Sequence, residues 1–138
     1  MLQSGFEVND VQNALYPASN AGNFNIIKLL LDRGADVNLT FRCGDFKTAL
    51  GVAAYKGKLE IITLLLDRGA DVNLTVGDFG TVLDAAVFGG KLEAVALLLD
   101  RGADVNLTGE YGTALGAAAY GGKQEIVTLL LDRGADVN

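Results

Sequence analysis

The sequence predicts an all-α solenoid of four helix-turn-helix repeats stacked in one continuous array. Three observations carry that prediction. The phrase Leu-Leu-Leu-Asp-Arg-Gly-Ala-Asp-Val-Asn-Leu-Thr stands unchanged at 29–40, 64–75 and 97–108, and a shortened copy fills 129–138. A fixed period of about 33 residues marks an architecture in which each unit buries its apolar face only against its neighbours. Between the phrases a second stretch recurs, as Thr48 to Ala54, Thr81 to Val87 and Thr113 to Ala119, with Asn13 to Ser19 as a looser copy. Half of the residues are apolar, enough for a core that runs the length of the stack.

Each repeat opens on a helix. Its Thr, or Asn13 in the first repeat, is placed as an N-cap whose side-chain oxygen accepts an otherwise orphan backbone N–H. Leucine and alanines at i, i+3 and i+4, such as Leu50, Ala53 and Ala54, give this helix one apolar face, and the small alanines let neighbours approach closely. Gly22, Gly57, Gly90 and Gly122 close it in the left-handed conformation that follows many helix ends. A second helix follows at once, as in Leu59 to Asp67, with Leu59, Ile62, Leu65 and Leu66 on one stripe. Glu60, Glu93 and Glu125 fall in its first turn, where negative charge suits the helix dipole. Gly34, Gly69, Gly102 and Gly134 end it, and Ala-Asp-Val-Asn leaves as extended chain.

Two local features depart from this scheme. Pro17 falls four residues after Asn13, where it lacks the N–H that would bond back and its ring crowds that carbonyl; the first helix is expected to start late or tilt. Residues 1–9 align with the end of a repeat, Leu2, Gly5, Glu7, Val8 and Asn9 matching Leu31, Gly34, Asp36, Val37 and Asn38. The expected organisation is therefore the tail of a preceding repeat at 1–9, then repeats at 10–40, 41–75, 76–108 and 109–138. Both ends fall at one phase of the repeat, as expected for a segment of a longer array.

The recurring Thr-Ala-Leu-x-x-Ala-Ala segment, the mid-repeat glycine and Leu-Leu-Leu-x-x-Gly-Ala-Asp-Val-Asn, with spacings of 35, 33 and 32 between the helix-ending glycines, resemble the ankyrin repeat over essentially the whole chain. The resemblance implies two antiparallel helices and a projecting β-hairpin loop per repeat, stacked into a curved slab that binds proteins on its concave side. The family's Thr-Pro-Leu-His-x-Ala-Ala motif is altered here. Ala14, Ala49, Val82 and Ala114 replace the proline, and Tyr16, Gly51, Asp84 and Gly116 replace the histidine, so the hydrogen bond that histidine helps to make is absent. Asp84, three residues after Thr81, is placed to form a capping box instead; Gly51 and Gly116 cost their helices up to about 1 kcal/mol each relative to alanine. These substitutions and the Tyr-Gly-Gly-Lys style resemble repeats of fungal multidomain receptors that carry a nucleotide-binding module.

Several kinds of chemistry are excluded by what the chain lacks. It has no histidine, one cysteine (Cys43), and serine only at Ser4 and Ser19, so no activated nucleophile or thiolate metal site can be assembled. Gly89-Gly90-Lys91 and Gly121-Gly122-Lys123 lack the earlier glycine and the following Ser or Thr of a phosphate loop. No enzyme, cofactor or metal is expected. The Asn-Leu-Thr sequons at Asn38, Asn73 and Asn106 are copies of one scaffold turn, and the Asp-Arg pairs and Asp36, Asp71, Asp104 and Asp136 read as solvated edge charges. A net charge of -6 disfavours nucleic acid and anionic membrane and suits a basic protein surface. The single cysteine, and the lack of any leader or apolar run of membrane length, fit an intracellular, cytoplasmic protein.

Because the helices barely vary between copies, recognition is expected where the repeats differ. The tips between Asn and the next cap run to 3, 9, 7 and 6 residues. The second carries Phe41, Arg42, Cys43, Asp45, Phe46 and Lys47, the aromatic and arginine composition of an interface hot spot. Phe46, Phe79 and Tyr111 recur two residues before each cap, and Tyr55, Phe88 and Tyr120 recur seven residues after it. The first column reads as scaffold, while the second reads equally as scaffold or as a concave contact line. With Lys56 beside Tyr55, and Asp78 and Glu110 beside the tip aromatics, these form the candidate protein-binding set. The alternative is a structural spacer with no dedicated partner site. A fourth repeat built like the internal ones also predicts apolar ends, with Ala117, Ala118, Leu129 and Leu130, that associate end to end.

Overall fold

The computed structural model describes residues 4–42, 46–75, 80–109 and 112–136. Among the described residues eight helices follow one another: α1 (Ser4–Ala21), α2 (Phe24–Asp32), α3 (Ala49–Lys56), α4 (Leu59–Asp67), α5 (Val82–Phe88), α6 (Leu92–Asp100), α7 (Ala114–Tyr120) and α8 (Gln124–Asp132). They pair as α1/α2, α3/α4, α5/α6 and α7/α8, and the first helices stack on one another in one layer while the second helices stack in the other. Among the described residues the tips hold no strand, only isolated antiparallel bridges between Thr75 and Thr81 and between Gly109 and Gly112.

The helix caps and closing glycines read from the sequence hold through repeats 2 to 4, but Asp-Val-Asn does not leave as extended chain: it turns, with the Leu39, Leu74 and Leu107 N–H groups donating to the carbonyls of Asp36, Asp71 and Asp104. Thr48, Thr81 and Thr113 cap α3, α5 and α7, each hydroxyl accepting the backbone N–H three residues on. At Thr81 the box closes in both directions: Asp84 N–H donates to Thr81 Oγ1 at 3.1 Å, and Thr81 N–H donates to Asp84 Oδ2 at 3.2 Å. The glycines that close the first and second helices take positive φ, Gly57 after α3 at 70° and Gly69 after α4 at 94°, which only glycine adopts cheaply. Between the layers lie Leu15, Leu50 and Leu83 from the first helices, and Ile27, Ile62, Val95 and Leu98 from the second, all buried. Ala54, Ala85, Ala86 and Ala118 are buried without residual exposure, so backbones can approach where larger side chains would hold them apart.

The first repeat departs from expectation. Its helix neither starts late at Pro17 nor is capped by Asn13; α1 begins at Ser4 and carries Pro17 inside it. The lost bond is tolerated because Pro17 lies on the exposed side, where water can reach the Asn13 carbonyl. Residues 4–9, aligned by sequence with extended chain, are thus helical. A three-residue tip is too short to fold back, and the helix continues through it instead.

What α1 preserves is the polar contact between repeats. Asn38 Oδ1 accepts the Asp71 N–H at 2.9 Å, Asn73 Oδ1 the Asp104 N–H at 2.8 Å, and Asn106 Oδ1 the Asp136 N–H at 2.7 Å. In the first repeat the same backbone group, Asp36 N–H, is met by Gln12 Oε1 at 3.0 Å. Gln12 supplies the acceptor there. The three asparagines also donate through Nδ2 to the carbonyls of Gly69, Gly102 and Gly134, so the sequon amides serve as links between repeats.

Candidate functional site

Tyr55, in the last turn of α3, is an exposed aromatic of the first-helix layer, at 39 %. Side chains on a helix lean toward its N-terminus, and Tyr55 leans back far enough to meet Phe46 of the tip. Their rings stack with centroids 4.3 Å apart and planes at 27°. The two aromatic columns, separate in the sequence reading, are one structure in repeat 2. Below the pair lies a shallow depression of about 320 Å³ lined by Tyr55, Lys56, Lys58, Gly89 and Lys91.

The lysines of that depression are set by the fold. Lys58, Lys91 and Lys123 each precede a second helix and lay their stems over the left-handed glycine of the preceding repeat. A Cβ on Gly22 would lie 3.4 Å from Lys58 Cε, one on Gly57 2.9 Å from Lys91 Cγ and Cδ, and one on Gly90 3.3 Å from Lys123 Nζ. The ammonium groups are therefore held in a row along one edge. The sequence reading missed this row, although Gly-Lys recurs at 57–58, 90–91 and 122–123; it was weighed only as a phosphate loop.

Phe41 corrects an expectation. It is 6 % exposed, packed edge-on against Tyr16 with centroids 5.0 Å apart, and its N–H donates to the Lys47 carbonyl at 2.5 Å. An apolar ring within reach of another gains more from burial than from solvent, and Phe41 is a structural side chain, not a free contact. Arg42 is exposed beside it, on a second depression of about 310 Å³ between α1 and the tip. Lys47 and Phe88 are half-buried and Lys56 exposed. Tyr120 is 94 % exposed. Asp45, Asp78, Phe79, Glu110 and Tyr111 lie outside the described residues, as does Cys43.

Acid groups are placed elsewhere. The Asp-Arg pairs link repeats: Arg68 to Asp32 at 2.8 Å, Arg101 to Asp67 at 2.7 Å and Arg133 to Asp100 at 2.8 Å. Chiefly through its hydrogen bond with Arg68, Asp32 is held below the usual carboxylate range. Asp84, 1 % exposed, is pushed above that range by burial, against the opposing hydrogen bonds from Thr81. Among the described residues no group of three His, Cys, Asp or Glu is arranged to hold a metal ion, and no helix is long and apolar enough to cross a membrane.

With paired helices, glycine-closed turns and inter-repeat links in view, the family comparison decides the matter. A family model described as ankyrin repeats (3 copies) matches residues 1–76 and 75–138. The chain belongs to the ankyrin repeat family. No curated protein matched the chain. Ankyrin repeats are in general protein-interaction modules and typically non-catalytic. In this ankyrin array the missing histidine is replaced repeat by repeat: Tyr16 reaches the tip aromatic Phe41 and Asp84 closes its own helix start.

Proposed function

We propose that the array is the recognition arm of a larger intracellular protein, binding a partner through the concave ends of the first helices and the tip of the second repeat. The observation that carries this reading is the Phe46–Tyr55 pair. Tyr55 belongs to an internal repeat, so its exposure does not come from an open end of the stack, and Phe46 fixes its ring before any partner arrives. A rigid, part-exposed aromatic flanked by cations is the composition of an interface anchor. Arg42, Lys47, Lys56, Phe88 and Tyr120 extend the surface on either side; Asp45, Asp78, Phe79, Glu110 and Tyr111 are proposed with them on sequence grounds. The Tyr-Gly-Gly-Lys style supports a place in a multidomain receptor of the kind it resembles.

Tyr55→Ala tests the proposal in a pull-down against the wild-type protein. Loss of an anchor weakens partner binding by about thirtyfold, while loss of the Phe46 stack lowers the thermal midpoint by only about 5 °C. Equal loss of binding and stability would count against a contact role. The near-identity of the helices favours the spacer reading, and capture that survives both Tyr55→Ala and a chimera with four identical tips would establish it.

A further inference from the structure

Lysines and aspartates lie at opposite ends of α4, α6 and α8. Lys58, Lys91 and Lys123 immediately precede α4, α6 and α8, whereas Asp67, Asp100 and Asp132 are their last residues. Nine residues at 1.5 Å each separate the two edges by about 13 Å, more than the Debye length of about 8 Å at physiological salt. The net charge of -6 therefore says little about the potential at the lysine edge.

Three features make that edge positive. Lys56, Lys58, Lys91 and Lys123 enter none of the ion pairs among the described residues, while Lys28, Arg68, Arg101 and Arg133 are matched to aspartates at the far edge. The starts of α4, α6 and α8 have no side-chain cap, so their N–H groups and the positive ends of three helix dipoles face the same way. Each of these helices also carries an acid in its first turn, Glu60, Glu93 and Glu125, which offsets part of that charge; Glu60 lines a separate groove with Phe24, Leu59, Thr63 and Asp67.

We propose that this edge binds an acidic, extended segment of a partner protein. Its carboxylates lie along Lys56, Lys58, Lys91 and Lys123, and an apolar or aromatic side chain rests on the ring of Tyr55. The inference rests on the Tyr55 surface being the contact site, and it reverses the partner charge that the overall composition suggests. The segment is extended because Lys58, Lys91 and Lys123 recur once per repeat in a line, with Lys56 beside the first, and the shallow depression takes side chains, not a folded domain.

Selection of a display library of random linear peptides on the 138-residue protein tests it. Peptides rich in Asp and Glu around an aromatic or leucine are expected. The triple change Lys56→Glu, Lys58→Glu, Lys91→Glu weakens their binding by about tenfold or more, added salt weakens it further, and Arg33→Glu leaves it unchanged. Circular dichroism melts of each variant confirm that the fold is kept. Neutral or basic peptides that need Tyr55 would overturn the acidic partner and leave the surface reading standing. No enrichment, or binders indifferent to Tyr55→Ala, would overturn both. Preferential binding of polyuridylate or phosphatidylserine vesicles through the same lysines would replace the peptide with a nucleic acid or a membrane and so overturn the inference.

Discussion

Three residues after the opening Thr or Asn of each repeat stand Tyr16, Gly51, Asp84 and Gly116, and both of the larger side chains meet the tip of the following repeat. Tyr16 meets Phe41. Asp84 lies so close to Gly109 that a Cβ there would come within 2.5 Å of its Oδ2. Asp84 Oδ1 is buried without a hydrogen-bond partner, and burial raises the pKa because the charged form loses its water. The folded state therefore binds this proton more tightly than the unfolded chain. Its contribution is fully present below the unfolded carboxylate pKa and is lost as pH rises through the raised folded value. Asp84→Asn keeps an oxygen for the Thr81 N–H and removes the titration. Urea unfolding across pH is expected to show the variant losing less stability than wild type as pH rises above the ordinary carboxylate range. Asp32 acts in the opposite sense: its pKa is lowered by Arg68, so its contribution is present above the unfolded value and fades as pH falls through the folded one. The acid limb of the curve should be unchanged by Asp84→Asn.

At the scale of elements, two ladders join the repeats and should differ in worth. The Arg–Asp pairs are short but sit at exposed side chains, where screening and side-chain entropy leave about 0.2–1 kcal/mol. Each Asn ties two backbone groups of the next repeat, for Asn73 the Gly102 carbonyl and the Asp104 N–H. Asn73→Ala is expected to lower unfolding free energy by about 1–2 kcal/mol and Arg101→Ala by less than about 1 kcal/mol, both read from urea midpoints at unchanged slope. The capping threonines and left-handed glycines were legible in the sequence because their cause is local, a cap or a positive φ within four residues. The ladders were not. Asp32 meets Arg68 and Asn38 meets Asp71 across a whole repeat, and identical copies conceal which one supplies the partner. Gln12 was hidden for the same reason, since its role follows from where α1 runs in space and not from any match to Asn38.

For the molecule as a whole, stacking order was legible and the contact surface only in part: Tyr55 was singled out, but its support by Phe46 and the lysine row depend on side-chain reach across turns. The same stacking logic corrects the expected ends. Ala117, Ala118 and Leu130 are buried and Leu129 partly so; the open side chains are Tyr120 and Leu131 on one face and Ile26 and Leu29 on the other, the last two 45 and 49 % exposed. Ile61 and Leu64 hold the equivalent places in repeat 2 and are buried. On the open faces the ion ladder is also half-filled among the described residues, with Arg33 lacking a preceding aspartate and Asp132 a following arginine. A second copy stacked head to tail would bring Asp132 against Arg33 and Leu131 against Ile26 and Leu29. Sedimentation velocity over a concentration series is expected to reveal weak self-association. Ile26→Gln with Leu29→Gln should weaken it by about tenfold through lost apolar burial. Arg33→Asp should weaken it by a few-fold, and mixing that variant with Asp132→Arg copies should restore it. A wild-type chain that stays monomeric at millimolar concentration would show that the two faces do not fit, with α1 the element placed to keep them apart.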